Sequence, residues 1–225
     1  MNAVDFQHVT FRYEHASRDA LHDLTLAIPE GAFVGLTGSG GTGKSTLLYA
    51  IAGAVPHYLR GDFYGACRVF GHDTVDTPPV ELARTVGLVM QDTESQFVAV
   101  EVEDELRFGL DNFGVPAEEY EPRLYFALEA CGIVPLRNRI LRELSGGQKR
   151  KVAIASILAL RPKLLLLDEP TGELDPPSKR QVFETLKALN GQGYTIVVAE
   201  KNTKLLTEYC EKIIRLEDGH CAQEN

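Results

Sequence analysis

Basic side chains are the scarce class in this sequence of 225 residues. It holds 23 Lys and Arg against 32 Asp and Glu, which gives a formal charge of −9 at pH 7 and a pI near 5.2. A nucleic-acid-binding surface needs an excess of cations to neutralise phosphates, so this deficit argues against nucleic acid as a partner. Basic residues do cluster at 137–151, where a solvated helical face is the simpler explanation.

Cysteines and long apolar segments are also scarce. The four cysteines, Cys67, Cys131, Cys210 and Cys221, lie far apart, and no His or Cys has the spacing of zinc ligands. We expect reduced thiols in a cytosolic protein. The first residues lack an apolar signal segment, and the longest apolar run, 152–160, falls far short of the roughly 20 residues that span a bilayer. Any work at a membrane would therefore go through a partner.

Short apolar segments alternate with helical patterns along most of the chain. Apolar side chains at successive or alternate positions predict strands, and apolar side chains three to four residues apart predict helices. The predicted strands are 6–13, 24–28, 32–37, 67–70, 86–90, 163–167, 194–199 and 212–216, and the predicted helices are 45–52, 80–84, 118–131, 145–160 and 178–189. This alternation predicts an α/β fold around a parallel sheet.

A mostly helical insertion at about 92–143 interrupts the alternation. Residues 91–121 hold ten acidic side chains and a single basic one, Arg107. So acidic a segment would not lie on an anionic membrane surface, although it could meet a basic protein partner. A merely solvated helical face is an equally good explanation.

A glycine-rich stretch at 38–45, GSGGTGKS, matches the phosphate-binding pattern G-x-x-x-x-G-K-[ST]. It follows a predicted strand and opens a predicted helix, where backbone N–H groups and the helix N-terminus attract phosphate. Lys44 would reach the β- and γ-phosphates of a nucleotide, and the Ser45 hydroxyl would ligate Mg²⁺. The candidate phosphate-binding residues are Ser39, Gly40, Gly41, Thr42, Gly43, Lys44, Ser45 and Thr46.

A second motif, LLLLDE at 164–169, ends a predicted buried strand in two acids. The carboxyl end of that strand is expected at the same sheet edge as the phosphate loop. There Asp168 would hold Mg²⁺ through water, and Glu169 is placed to polarise an attacking water.

The segment LSGGQ at 144–148 is the most specific motif. Ser145 can cap a helix whose third residue is Gln148, which forms a capping box. The glycines between them leave backbone N–H groups open to an anion. With a phosphate loop upstream and the Asp-Glu strand about twenty residues on, the chain resembles ABC-type ATPase subunits over roughly residues 6–219.

The resemblance implies an α/β P-loop NTPase (RecA-like) core with a parallel sheet, an N-terminal antiparallel β subdomain and a helical signature subdomain. We expect one nucleotide-binding domain over 1–225. Its antiparallel part is expected at 1–31, the ATPase core at 32–91 and 144–225, and the helical subdomain at about 92–143.

The resemblance also implies ATP and Mg²⁺ as ligands, and roles for further residues. Tyr13 matches the aromatic residue that stacks on adenine, with an ordinary strand tyrosine as the alternative. Gln91 resembles the glutamine that touches Mg²⁺ and the attacking water. Asp175 resembles the aspartate of the loop that crosses the dimer, although Glu173 stands where a small polar residue is usual. The implied catalytic set is Glu169, Lys44, Gln91 and Lys201, and the implied Mg²⁺ ligands are Ser45, Gln91 and Asp168.

Lys201 is a departure from the family pattern. Members place a histidine after the strand predicted at 194–199, where it contacts the γ-phosphate, whereas this chain continues Glu200-Lys201-Asn202. Lysine is a point cation that can neutralise phosphate but cannot share a proton as imidazole does. The hypothesis is that the site using this chain's phosphate loop turns over slowly, and that the chain pairs with a different ATPase, or a second half, that carries the histidine.

In ABC-type subunits ATP lies between two ATPase subunits or halves, in a head-to-tail dimer. The resemblance therefore implies that Lys44 of one subunit faces the signature residues of the other. The signature residues expected to act in trans are Ser145, Gly146, Gly147 and Gln148.

Within that superfamily the best likeness is to the energy-coupling-factor importers. It rests on VMQDTESQF at 89–97, VEDE at 102–105, Phe108-Gly109 and VPHYLRG at 55–61. The likeness implies uptake of a vitamin or a transition-metal ion, an integral-membrane scaffold partner and a substrate-binding membrane component. It also implies a peripheral position on the cytoplasmic face of the cell membrane. The alternatives are a soluble ABC ATPase acting on ribosomes or DNA, and a weakly catalytic regulatory half of a heterodimeric pair.

Overall fold

Six strands form the central sheet, in the order β10-β9-β3-β8-β7-β6. A computed structural model describes residues 1–224, and the side chains as far as Ala222. The strands are β3 (Phe33–Thr37), β6 (Val86–Val89), β7 (Leu164–Asp168), β8 (Thr195–Ala199), β9 (Lys212–Glu217) and β10 (His220–Glu224). Neighbouring strands are parallel except for β10, which pairs antiparallel with β9. The predicted α/β fold is confirmed.

Complete burial of the central strands explains their sequences. Every residue of β3, β7 and β8 is buried, because helices and the second sheet cover both faces of the central one. A strand covered on both faces is apolar at each position rather than at alternate positions. The covering helices are α1 (Lys44–Ile51), α6 (Gly146–Leu158), α7 (Pro176–Gly191) and α8 (Thr203–Tyr209).

A second, antiparallel sheet has the strand order β2-β1-β4-β5. Its strands are β1 (Asn2–Tyr13), β2 (Leu21–Pro29), β4 (Gly61–Val69) and β5 (His72–Asp73). The predicted antiparallel part, 1–31, is therefore too short. It omits β4 and β5, which lie within 32–91, the range predicted to belong to the ATPase core. They join this sheet because β4 pairs with β1 along its length, with Phe6 opposite Cys67. Both of these side chains are buried with α1 in one apolar cluster.

The predicted insertion at about 92–143 contains two helices, α4 (Val102–Asn112) and α5 (Tyr120–Ala130), with short 3₁₀ turns between and after them. Leu106 of α4 and Leu124 of α5 are fully buried in the same cluster as Val152 of α6. The helix predicted at 118–131 matches α5, whereas α4 was not separately predicted. Two one-turn helices, α2 (Ala54–His57) and α3 (Pro79–Leu82), lie between β3 and β6. No helix in the described residues is both long and apolar enough to cross a bilayer.

Candidate functional site

The phosphate loop joins β3 to α1, as the motif predicts. Gly38 and Gly43 have φ values of 147° and 99°, which L-residues rarely adopt. A Cβ on Gly43 would also lie 2.4 Å from the carbonyl oxygen of Ala20. Glycine is therefore required where the loop enters the helix, and the backbone is free to turn its N–H groups inward.

Lys44 is folded over this loop. Its Nζ donates hydrogen bonds of 2.8 Å to the carbonyl oxygens of Gly38 and Ser39. Burial lowers the pKa of Lys44, and the charge of Glu169 raises it in opposition. The ammonium thus lies in the concavity of the loop, where it can exchange carbonyl oxygens for phosphate oxygens.

Asp168, the last residue of β7, is buried without a hydrogen-bond partner. Asp168 is only 1% exposed. Neither of its carboxylate oxygens has a hydrogen-bond partner within the described residues. Burial raises the pKa of Asp168, while the neighbouring Ser45 and Lys44 lower it. An orphaned carboxylate beside a hydroxyl is the oxygen donor set that Mg²⁺ takes. The residues present therefore fit a magnesium ion.

Glu169 follows Asp168 and stands at the centre of a contact network. Its Oε2 accepts a hydrogen bond of 3.2 Å from Gln91 Nε2, and both of its oxygens lie 2.9 Å from Lys201 Nζ. Its backbone is left-handed, with a φ of 45°, and its N–H donates to the carbonyl of Ala199 at 2.8 Å. The structure thus brings together Gln91, Glu169 and Lys201, which were predicted separately.

Glu200 is a site residue that sequence reasoning missed. It is only 4% exposed, and its carboxylate accepts hydrogen bonds from Thr171 Oγ1 at 2.5 Å and from the Lys201 N–H at 2.8 Å. The available signal was an acid directly after a buried strand, which is also the position of Glu169. Glu200 ties the start of the segment after β8 to the segment after β7.

Tyr13 lies at the end of β1 beside the phosphate-loop helix. Its hydroxyl forms a 3.0 Å hydrogen bond with Thr46 Oγ1, and its ring stands edge-on to Phe11 at a centroid distance of 4.8 Å. Burial raises the pKa of Tyr13. An aromatic ring is therefore held at the loop, as a base-stacking role requires.

The signature segment begins α6 with the predicted capping box. Gln148 N–H donates to Ser145 Oγ, and the Ser145 N–H donates to Gln148 Oε1. Asp175 caps the neighbouring helix α7, accepting from Ser178 N–H at 2.7 Å, and a Cβ on Gly147 would lie 3.4 Å from Ser178 Oγ. The signature residues and Asp175 thus lie side by side.

A cavity of about 700 Å³ separates the signature segment from the residues that follow β6. Its lining includes Gln91, Gly146, Arg150 and Glu173. Arg150 crosses beside it and donates to the carbonyl oxygens of Met90 and Gln91. The two segments are therefore joined by a buried guanidinium as well as by packing.

The fold and the phosphate site together define an α/β phosphate-loop ATPase. A family model described as ABC transporter matches residues 21–172, and the chain belongs to the ABC transporter ATP-binding family. It is 36% identical over 225 residues to a Pyrococcus abyssi protein provisionally named an ABC transporter ATP-binding protein, covering 80% of that protein. It is 38% identical over 214 residues to one of Streptomyces coelicolor, covering 38% of it.

Solved structures lead to the same family. CbiO1 of Clostridium perfringens, described as part of the ABC transporter complex CbiONQ, matches with a TM-score of 0.89 and 27% identity over 100% of this chain and 88% of that one. The ATP-binding cassette MJ0796, solved as a dimer in a post-hydrolysis state with ADP and Pi, matches with a TM-score of 0.85 and 29% identity over 99% and 97%. The predicted ABC-type ATPase is confirmed.

Proposed function

We propose that this chain binds and hydrolyses Mg²⁺-ATP to power a membrane importer of the energy-coupling-factor class. The proposal rests on one observation: Lys44, Asp168 and Glu169 lie close together at one edge of the central sheet. A cation, an unpartnered buried carboxylate and a reachable carboxylate stand together there. These are the groups needed to bind the phosphates, hold the metal and orient water.

The chain's own residues divide the work of hydrolysis. Lys44 moves from the loop carbonyls to the β- and γ-phosphates, while Ser45 and Asp168 hold Mg²⁺, which when bound neutralises phosphate charge. Gln91 and Glu169 orient the attacking water in line with the γ-phosphate. Tyr13 stacks on the adenine. The loop residues Ser39, Gly40, Gly41, Thr42, Gly43 and Thr46 line the phosphates.

The second half of the site comes from another ATPase subunit or half. Ser145, Gly146, Gly147 and Gln148 present the N-terminus of α6, whose N–H groups attract an anion. The dimeric structure of the MJ0796 cassette supports a pair of ATPase subunits. In a head-to-tail pair, Asp175 would lie near the partner. The whole chain would then be one nucleotide-binding domain, with 92–143 as its helical subdomain.

The membrane partner would dock beside the acidic segment at 91–121. A groove of about 310 Å³ there is lined by Phe97, Ala99, Val100, Ile140 and Leu141 among others, and Val100 is 68% exposed. The membership of CbiO1 in the CbiONQ complex supports an importer of a vitamin or transition-metal ion, with a membrane scaffold and a substrate-binding component. The chain would then lie peripherally at the cytoplasmic face.

Glu169→Gln tests the catalytic assignment. The amide keeps the shape of the side chain but is not a base, so we expect turnover to be lost while ATP still binds. Glu184→Gln, at an exposed position on α7, is the matched control and should hydrolyse ATP normally. Undiminished hydrolysis by Glu169→Gln would remove Glu169 from this role.

Co-purification tests the membrane partner. We expect the tagged chain to retain an integral-membrane protein, and Val100→Asp to release it without loss of ATP binding. Val80→Asp introduces a charge at a similarly exposed residue (61%) outside the groove and should release nothing. Retention of ribosomes or DNA in place of a membrane protein would favour the soluble alternative.

A further inference from the structure

The carboxylate of Glu169 is held by a cation at both of its oxygens. Lys201 Nζ lies 2.9 Å from Oε1 and 2.9 Å from Oε2. The Glu169 side chain is 13% exposed and that of Lys201 is 57% exposed. The amine thus reaches in from the surface and covers a carboxylate that is otherwise enclosed.

The parallel sheet brings this pair to the phosphate loop. Asp168 at the end of β7 pairs with Ala199 at the end of β8, so the residues that follow the two strands emerge together. On its other side β8 pairs with β3, with Leu36 opposite Ala199, so the phosphate loop leaves the sheet at the same edge. Lys201 therefore belongs to the same charge cluster as the lysine that receives the phosphates.

A carboxylate bridged by an ammonium is a weaker proton acceptor for water. Gln91 Nε2 also donates to Oε2, at 3.2 Å, so Oε2 accepts two hydrogen bonds and Oε1 lies against the ammonium. A carboxylate has further lone pairs, but the bridging charge lowers its basicity, so Glu169 acts best on the attacking water once the ammonium has left. A γ-phosphate placed against Lys44 is a second anion that competes for the same ammonium.

We propose that Lys201 is a positioning residue that clamps Glu169 in the nucleotide-free chain, and that the γ-phosphate of ATP opens the clamp by drawing the ammonium away. The inference rests on the proposed role of Glu169. ADP has no γ-phosphate, so the clamp stays closed around it. Each turnover waits for the ammonium to move, which makes this a slow site and suits an asymmetric pair of ATPase sites.

Side-chain chemistry separates the clamp from a simple phosphate contact. A neutral histidine donates through one ring nitrogen only, so it cannot hold both oxygens of a carboxylate. Arginine keeps the positive charge and holds a carboxylate through two parallel hydrogen bonds. Lys201→His should therefore open the clamp, and Lys201→Arg should keep it closed.

The first test measures kcat at saturating Mg²⁺-ATP, and the dissociation constants of ATP and ADP, on the full chain in the assembly with which it purifies. We expect Lys201→His to raise kcat on the order of tenfold, equivalent to a barrier lower by about 1.4 kcal/mol. ADP affinity should not change, and Lys201→Arg should stay slow. Lys204→His, at an exposed position three residues along the chain, is the matched control. Equal or lower kcat for Lys201→His would overturn the clamp.

The second test needs no hydrolysis. Glu169→Gln removes the anion that holds Lys201, so its ammonium becomes free for the γ-phosphate and ATP should bind several-fold more tightly relative to ADP. The gain should vanish in Glu169→Gln/Lys201→Met. A gain that persists without Lys201 would contradict the clamp. Failure of the unmutated chain to bind ATP would instead contradict the proposed function, since the clamp leaves ATP binding intact.

Discussion

The guanidinium of Arg150, in the helix that follows the signature segment, donates a 3.1 Å hydrogen bond to the backbone carbonyl of Gln91. It donates a second, of 3.2 Å, to the carbonyl of Met90. Arg150 is only 8% exposed, and burial lowers its pKa. A buried residue of α6 thus holds the backbone of the glutamine that contacts Glu169.

Arg150→Met should loosen this connection. Two buried carbonyls lose a charged donor, so we expect the free energy of unfolding to fall by about 2 kcal/mol. We also expect kcat to fall while ATP affinity stays, because Gln91 is no longer held. Chemical denaturation and steady-state kinetics measure the two effects. Arg180→Met, which removes an exposed pair with Glu208, should change neither, and equal behaviour of the two variants would contradict the role.

Lys44→Met should weaken ATP binding by roughly 10–100-fold, since a charge-assisted hydrogen bond contributes about 1.5–3 kcal/mol. The methionine fills a similar space without reaching the phosphates. Fluorescent-nucleotide displacement measures the loss, and Lys204→Met should bind as the unmutated chain does. Unchanged affinity in Lys44→Met would place the phosphates elsewhere.

Asp168→Asn should have opposite effects with and without the metal nucleotide. Its carboxylate is buried and unpartnered, so the amide removes a buried charge. We expect the nucleotide-free chain to gain about 1 kcal/mol, or roughly 2–4 °C in Tm. The stabilisation by Mg²⁺-ATP should be lost. Thermal unfolding with and without Mg²⁺-ATP separates the effects, with the exposed Asp76→Asn as control. A variant that Mg²⁺-ATP still stabilises fully would exclude Asp168 as a ligand.

Arg137 should make the stability of the helical insertion depend on pH. It bonds Glu103 of α4 and Glu121 of α5, and these bonds hold the pKa of both carboxyls below the usual value of 4.5. A lowered carboxyl pKa stabilises the fold above the unfolded pKa, and this stability is lost as the pH falls through the folded value.

Arg137→Met should therefore cost on the order of 1 kcal/mol at pH 7, a figure reduced for solvent screening. The difference from the unmutated chain should shrink below about pH 4. Urea denaturation across this range measures it. Arg139→Met, whose partner Glu143 is 3.8 Å away, should show a smaller and flatter difference. A cost that does not vary with pH would point to packing rather than charge.

Local sequence predicted where the segments of the candidate site lie. The phosphate loop, the Asp-Glu strand end and the Ser145–Gln148 capping box each lie within a few residues, so neighbouring side chains and backbone preferences decide them. The same reasoning predicted the buried strands, because burial on both faces leaves a continuous apolar run in the sequence. Local reasoning did not assign β4 to the antiparallel sheet. Which residues of β4 are buried depends on its pairing with β1, a strand far away in the sequence.

By itself, the sequence determined which chemical groups are present and which short segments carry them. Only the tertiary structure determined which residues distant in the sequence are in contact. Lys201 contacts Glu169 and Thr171 contacts Glu200 because parallel strands end together at one edge of the sheet. Arg150 contacts Gln91 because α6 packs beside the segment that follows β6. Contacts between residues far apart in the chain depend on strand order and helix packing, which local preferences do not encode. A lysine that the sequence presents as a replacement for histidine is thereby the ion-pair partner of Glu169, the carboxylate that we propose orients water.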